Sequence, residues 1–314
     1  MKRRSFLASG LSAALLPEPQ RTDRLKPLAK RSLRVAHLTD VHIGPGNRSA
    51  QGFAQALQFV NSMPDKPDLI LNGGDCILDA LSADKASVKA QWQLWQSVVR
   101  QENSLPLVST IGNHDVFGWF MPGDSLKNDP AYGKKWVMDE LMMPERYYSI
   151  DRQGWHFIVL DSIYRVLSPN DPELGLIGRL DDQQMTWLVN DLANTSLPTC
   201  ILSHMPILSA CYQYFSFTTQ AGNEIPARLL MHDDSLQLKD VFTKHGHIKL
   251  CLSGHLHMQE EITYLGIKYL CNGSVAGKRW LGPFQEFSPI ITVIDLYEDG
   301  QTQHYWYDYT KPLH

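Results

Sequence analysis

Apolar residues along this 314-residue chain follow two alternating rhythms. Short apolar runs, "LRVAHL", "DLILN", "LPLVST", "WHFIVLD", "TCILS", "IKLCLS", "IKYLCN" and "IITVIDL", have the length and composition of buried strands. Between them, "AQALQFVNSM", "SVKAQWQLWQSVVR", "YGKKWVMDELM", "QQMTWLVNDLA" and "LQLKDVFTKH" repeat apolar residues at helical spacing. Strands that alternate with helices and give way to a strand-rich end predict an α/β core of largely parallel strands with an antiparallel continuation. The sequence contains no internal repeat and no low-complexity tract.

With 43% hydrophobic and 20% charged residues, the chain can bury a core of domain size, and 32–314 is expected to be one domain. Its longest apolar stretches are a few residues, far short of the roughly 20 that span a bilayer. The start, "MKRRSFLASGLSAALLP", has Arg3-Arg4 followed by a short, weakly apolar run from Phe6 to Leu16. It resembles a twin-arginine export signal, with Lys2 where Ser or Thr is usual, and implies a periplasmic or otherwise exported protein. A basic, unstructured start on a cytoplasmic protein is the alternative. The Pro-rich, charged stretch 17–31 reads as a linker. Up to Arg34 there are nine Lys/Arg against two Asp/Glu, which leaves 20 against 31 in the remainder, a formal charge of −11. Such a body does not suit general nucleic-acid binding. The five cysteines contain no CxxC pair, and Cys200 and Cys251 lie in apolar runs, so neither a disulfide framework nor a cysteine metal site is expected.

Chemistry gathers where the strand-like runs end. "LTDVHIG" places Asp40 and His42 two residues apart, on one side of an extended segment. "NGGDC" brings Asp75 after two glycines, and "IGNHD" sets Asn113, His114 and Asp115 side by side. "LSHMP" supplies His204, and "LSGHLHM" supplies His255 and His257. Each piece alone could be a turn or a helix cap. Their succession at strand ends, where open α/β sheets bind ligands, points to one convergent site.

Asp40-x-His42, Gly74-Asp75, Gly112-Asn113-His114-Asp115, His204 and Gly254-His255-x-His257 together resemble the signature of the calcineurin-like metallophosphoesterases, over roughly 33–272. "RYYSID" and "WHFIVLDS" before "LDDQQMTWLVNDLA" resemble the branch with bacterial cyclic-nucleotide phosphodiesterases and purple acid phosphatase-like enzymes. The resemblance implies a four-layer α-β-β-α sandwich of two mixed sheets, with a dinuclear metal site at the carboxyl ends of the strands. It implies that Asp40, His42 and His257 hold one ion, that Asn113, His204 and His255 hold another, and that Asp75 bridges them. Oxygen and imidazole donors without thiolate suit manganese, iron or zinc, as two divalent or mixed-valence ions. Hydrolysis of a small phosphate ester follows, with water activated by the metal pair and His114 protonating the leaving group. Asp115 is expected either to orient the His114 ring or to cap a helix.

A phosphodiester, such as a cyclic nucleotide, is slightly favoured as substrate; a phosphomonoester is the alternative within enzymes. A metal-binding or interaction protein on the same fold is the alternative outside them. Three connections, 116–132 with Trp119 and Phe120, 205–234 with Tyr212, Tyr214 and Phe215, and 275–287 with Lys278 and Arg279, could shape substrate choice or pack onto the body. His37 and His156 lie within strands and read as packed structural residues. His232, His245, His247, His304 and His314 read as solvated or near the surface.

Overall fold

The structure is a computed structural model that describes residues 29–121, 126–166, 175–215 and 229–312. The export-signal reading and nearly all of the linker therefore lie outside the described residues, as do His314 and parts of the first two connections. One sheet has the order β13-β12-β1-β2-β3: β1 (Arg31–Leu38), β2 (Leu69–Asn72) and β3 (Leu107–Ser109) are parallel, and β12 (Ile291–Tyr297) and β13 (Thr302–Tyr307) continue it antiparallel. The second has the order β10-β11-β9-β8-β5-β4. Its centre, β5 (Trp155–Val159), β8 (Thr199–Leu202), β9 (Ile248–Ser253) and β11 (Ile267–Asn272), is parallel. Antiparallel β4 (Tyr148–Arg152) and β10 (Gln259–Tyr264) close its edges, and β6 (Ile163–Arg165) pairs with β7 (Leu176–Gly178) in a separate ribbon.

Side-chain alternation along the strands builds the layers. Val35, Leu69, Leu71, Val108 and Ile294 of the first sheet meet Phe157, Val159, Leu202 and Leu252 of the second in a core between them. The opposite face of the first sheet, with Ala36, Leu38 and Ile70, packs against Phe53, Leu57 and Val60 of α1 (Asn47–Ser62) and Trp92 and Trp95 of α2 (Lys85–Glu102). Ile158, Ile201 and Cys251 on the outer face of the second sheet meet Met185, Leu188 and Leu192 of α4 (Asp182–Ala193) and Leu238 and Phe242 of α5 (Ser235–Phe242). Short α3 (Lys135–Glu140) inserts Val137 into the first outer core. The result is the four-layer α-β-β-α sandwich that the resemblance implied. Asp84 and Asp181 start α2 and α4 by accepting the Ser87 and Gln184 backbone N–H groups.

Every run expected to be a strand or a helix contains one. β4, β6, β7, β10 and β13 were not foreseen; β4, β10 and β13 are edge strands whose partly exposed, polar residues hide the apolar rhythm. All five cysteines are buried and unpaired, and no helix among the described residues is long and apolar enough to cross a membrane. His37 is buried and hydrogen-bonded to Asn272, 2.7 Å away, consistent with its structural reading. His232 corrects the expectation of a solvated residue: it is buried, with Nε2 3.0 Å from Ser203 Oγ and Nδ1 2.9 Å from Asp234 Oδ1. The surrounding sequence, "LMHDDS", is polar enough to disguise this.

His156 ties β5 to β4 and α4, through Nδ1 to Asp151 Oδ1 at 2.6 Å and Nε2 to Asp191 Oδ2 at 2.8 Å. Burial alone would lower its pKa, but the bonds to Asp191 and Asp151 outweigh burial and raise it above the ordinary histidine value. Its stabilisation is therefore full below about pH 6.5 and fades as pH rises through the raised pKa. His156→Gln is expected to cost about 1 kcal/mol at pH 6 and less at pH 9, read from urea unfolding at the two pH values.

Candidate metal centre

Both sheets end at one rim. β1 delivers Asp40 and His42, β2 delivers Asp75, and β3 leads to the 3-10 turn Asn113–Asp115. From the second sheet, β8 leads to His204, and β9 leads to His255 and His257. Parallel pairing of β1 and β2 persists beyond the strands, with Asp40 N–H donating to Gly74 O at 3.0 Å and His42 N–H to Asp75 O at 2.9 Å. The backbone turns sharply at the ligand positions themselves: φ is 56° at Asp40, 46° at His42, 53° at Asp75, 66° at His255 and 57° at His257. A side chain in this left-handed region costs about 1–2 kcal/mol, so such a concentration marks a functional site. Glycines let the loops approach. A Cβ on Gly112 would lie 2.0 Å from Asp75 N, and one on Gly254 would lie 2.2 Å from Asp40 Oδ2.

The side chains form two groups that share Asp75. In the first, His257 Nε2 lies 3.2 Å from Asp40 Oδ1 and 3.0 Å from His42 Nε2, and His42 Nε2 is 3.6 Å from Asp75 Oδ2. In the second, His204 Nε2 lies 3.1 Å from Asn113 Oδ1 and 3.4 Å from Asp75 Oδ2, with the His255 ring 5.1 Å from that of His204 between centroids. Donor atoms of Asp40, His42 and His257, and those of Asp75, His204 and His255, each lie within 4.8 Å of one another. A third such set joins His42, Asp75 and His114, which brings His114 to the same cleft.

Backbone carbonyls settle which ring nitrogens face inward. His204 Nδ1–H donates to Gly73 O at 2.8 Å, His257 Nδ1–H to Gly277 O at 2.7 Å, and His255 Nε2–H to Leu229 O at 2.8 Å. In the neutral ring, the nitrogen left over carries a lone pair, and for His204 and His257 that lone pair meets carboxylate, amide or imidazole acceptors. Acceptors facing acceptors need a proton or a metal ion between them, and this set of oxygen and imidazole donors fits bound metal ions. Without metal, protons take that place. Burial would lower His204, but the Asp75 carboxylate holds it up at about 9; Asp40 likewise raises His257 against burial. Asp40 and Asp75 are buried, which opposes ionisation, yet the surrounding histidines keep both below the usual carboxylate range. Thr39 Oγ and the His255 backbone N–H add hydrogen bonds to Asp40, 2.6 and 2.9 Å long.

Asp115 does not orient His114. Its carboxylate accepts backbone N–H groups from Cys76 at 2.8 Å, Ile77 at 3.2 Å and Gly112 at 3.0 Å, and so fastens the Asp75 loop to the Asn113 loop. Burial, with the charge of Asp75, pushes its pKa up to about 7. This is closer to the cap reading than to the ring-orienting one. His114 instead bonds Asp75 Oδ1 through its backbone N–H at 2.8 Å, and its Nε2 lies 3.3 Å from Arg279 Nη2. The three connections divide. Trp119 lies under Lys134 and Arg165, away from the cleft, whereas Phe215, Lys278 and Arg279 line it, with Phe284. Gly73, Gly277 and Leu229, whose carbonyls orient the histidines, had no sequence signal, because every residue carries a carbonyl.

The calcineurin-like phosphoesterase family model matches residues 33–259, which contain every one of these cleft histidines and carboxylates. The chain belongs to the calcineurin-like phosphoesterases. Phosphoester hydrolases of this family typically depend on two metal ions, and the two donor groups provide for that number. A probable cyclic nucleotide phosphodiesterase of Synechococcus sp. is 27% identical over 232 residues, 72% of this chain and 74% of its own. A 3′,5′-cyclic-nucleotide phosphodiesterase of Nostoc sp. is 23% identical over 284 residues, 86% and 90% of the two chains. Among solved structures, a dimetal phosphatase from Danio rerio shares the fold, with a TM-score of 0.60 and 14% identity over 88% of this phosphoesterase chain and 96% of that one.

Two outcomes are expected. Because His204 carries a proton at pH 7 that metal must displace, apparent metal affinity rises from pH 7 to 9 and binding releases protons, measurable by calorimetry in buffers of different ionisation enthalpy. Asp115→Ala leaves three buried N–H groups without an acceptor and lowers stability by about 3 kcal/mol or more, measured by urea unfolding.

Proposed function

We propose that this phosphoesterase hydrolyses small phosphodiesters, cyclic nucleotides among them. The first ion would be held by Asp40, His42 and His257, the second by Asn113, His204 and His255, and Asp75 would reach both. The observation that carries the reading is the pair of acceptor-lined donor groups meeting at one buried carboxylate. Oxygen and imidazole donors suit manganese, iron or zinc. When bound, two such ions activate the attacking water and take up charge on the phosphoryl oxygens.

The chain's own residues orient and protonate. Asp75 is held by the His114 backbone N–H, so the loop that positions the shared carboxylate also carries the proton donor. His114 presents its imidazole at the cleft and delivers a proton to the leaving oxygen. Phe284, stacked on Phe215 with centroids 6.1 Å apart, forms an apolar wall on which a planar leaving group can lie. The names of the Synechococcus and Nostoc relatives support cyclic nucleotides. Lys278 and Arg279 in the same cleft favour a second reading, a dianionic phosphomonoester.

Metal-loaded protein assayed with bis-(p-nitrophenyl) phosphate, p-nitrophenyl phosphate and a 3′,5′-cyclic nucleotide separates the two readings. Faster turnover of the diesters is expected; turnover of the monoester alone would select the second reading, and turnover of none would remove both. His114→Ala is expected to keep its metal, measured by elemental analysis, while turnover falls by about 10²–10⁴-fold. Loss of metal in that variant would instead make His114 a ligand.

A further inference from the structure

We propose that Arg279 is the phosphoryl-binding residue of this cleft and that Trp280 is the positioning residue that sets it there. The inference rests on the phosphoesterase reading of the site and extends it to a residue outside the ligand set.

Arg279 and Trp280 follow one another in the left-handed region, with φ of 48° and 68°, on a segment that also bends at Gly277 and Gly282. Two adjacent non-glycine residues in this conformation persist only where the surroundings hold them. Here the surroundings are the metal loops. Val275 N–H donates to Thr39 O at 2.9 Å, Ala276 N–H to Asp40 O at 3.2 Å, and Trp280 N–H to Ala276 O at 2.7 Å. The Trp280 indole N–H donates to His42 O at 3.2 Å, and the ring lies over Gly52 of α1, where a Cβ would come within 2.1 Å of it. The indole therefore occupies a seat that any larger residue at position 52 would fill, and the backbone of Arg279 is indexed to Asp40, His42 and His257.

From that anchor the exposed Arg279 side chain turns back over the centre. It lines a cleft of about 370 Å³ together with His42, Asp75, His114 and His257. Its guanidinium is permanently protonated and can only donate, and its Nη2 lies 3.3 Å from His114 Nε2; when that nitrogen holds the proton His114 is to deliver, it is no acceptor and the guanidinium turns to another. A phosphoryl group offers negative charge and two oxygens that match the two N–H groups of the guanidinium fork. Arg279 thus lies beside His114 and binds the phosphoryl group when it arrives. Lys278 adds charge to the same wall, but the geometry that fixes a direction belongs to Arg279.

Titration of inorganic phosphate into metal-loaded protein, followed by calorimetry, tests this without requiring turnover. Arg279→Ala is expected to weaken phosphate binding by about 10- to 10²-fold with metal content unchanged. Arg279→Lys should recover only part of the loss, since a point charge lacks the fork. Trp280→Phe keeps a ring over Gly52 without the N–H and should weaken binding in the same direction by less. Added guanidinium ion should restore part of the turnover of Arg279→Ala, a rescue that a purely structural arginine would not show. Unchanged phosphate affinity in Arg279→Ala, loss of its metal, or a wild type that binds no phosphate would each overturn the proposal. Turnover of bis-(p-nitrophenyl) phosphate, read in parallel, keeps the two claims apart. Arg279-dependent phosphate binding without hydrolysis refutes the proposed function alone, whereas hydrolysis with Arg279-independent binding refutes this inference alone.

Discussion

The inward nitrogens of buried His204 and half-buried His257 face carboxylate, amide and imidazole atoms 3.0 to 3.4 Å away, and a proton or a metal ion between them holds that arrangement together. The rest of the cleft follows from this constraint. Carbonyls of Gly73, Gly277 and Leu229 hold the far side of three rings, so the inward nitrogens have no alternative tautomer that keeps the bond. Five of the seven proposed ligands sit in left-handed backbone, at a combined cost on the order of 5–10 kcal/mol, comparable with the whole net stability of a domain. Protons on His204 and His257 offset the clash of acceptors in the metal-free protein, and metal ions would do so more strongly.

Two sheets are needed because each donor group takes residues from both. Asp40, His42, Asp75 and Asn113 rise from the first sheet, and His204, His255 and His257 from the second. The core between the sheets therefore sets how the two halves of each group meet. Close approach at Gly112 and Gly254 then brings the loops to contact distance, and Asp115 fastens two of them through backbone N–H groups. Packing, backbone strain and ligand geometry are in this sense one requirement met at three scales.

Much of this was legible in the sequence, for a definite reason. Central parallel strands are buried on both faces, so β1, β2, β5, β8 and β9 read as unbroken apolar runs, and the ligands stand where those runs stop. Edge strands such as β10, "QEEITY", face water and carry no such mark. Asp115 was readable as a carboxylate beside a histidine, but its acceptor role depends on Cys76 and Ile77, nearly 40 residues earlier, which adjacency cannot reveal. His232 lay hidden in a polar stretch because its burial is set by Ser203 across the fold. Trp280 was likewise silent, since its seat is the missing side chain of Gly52.

The central claim is that two cations sit between these acceptors, one in each donor group. Anomalous diffraction from crystals of metal-loaded protein tests it most directly. The account predicts two peaks about 3.5–4 Å apart, one among Asp40, His42 and His257, the other among Asn113, His204 and His255, with the Asp75 carboxylate spanning both. A single peak, or a peak ligated by His114 in place of either group, would contradict it.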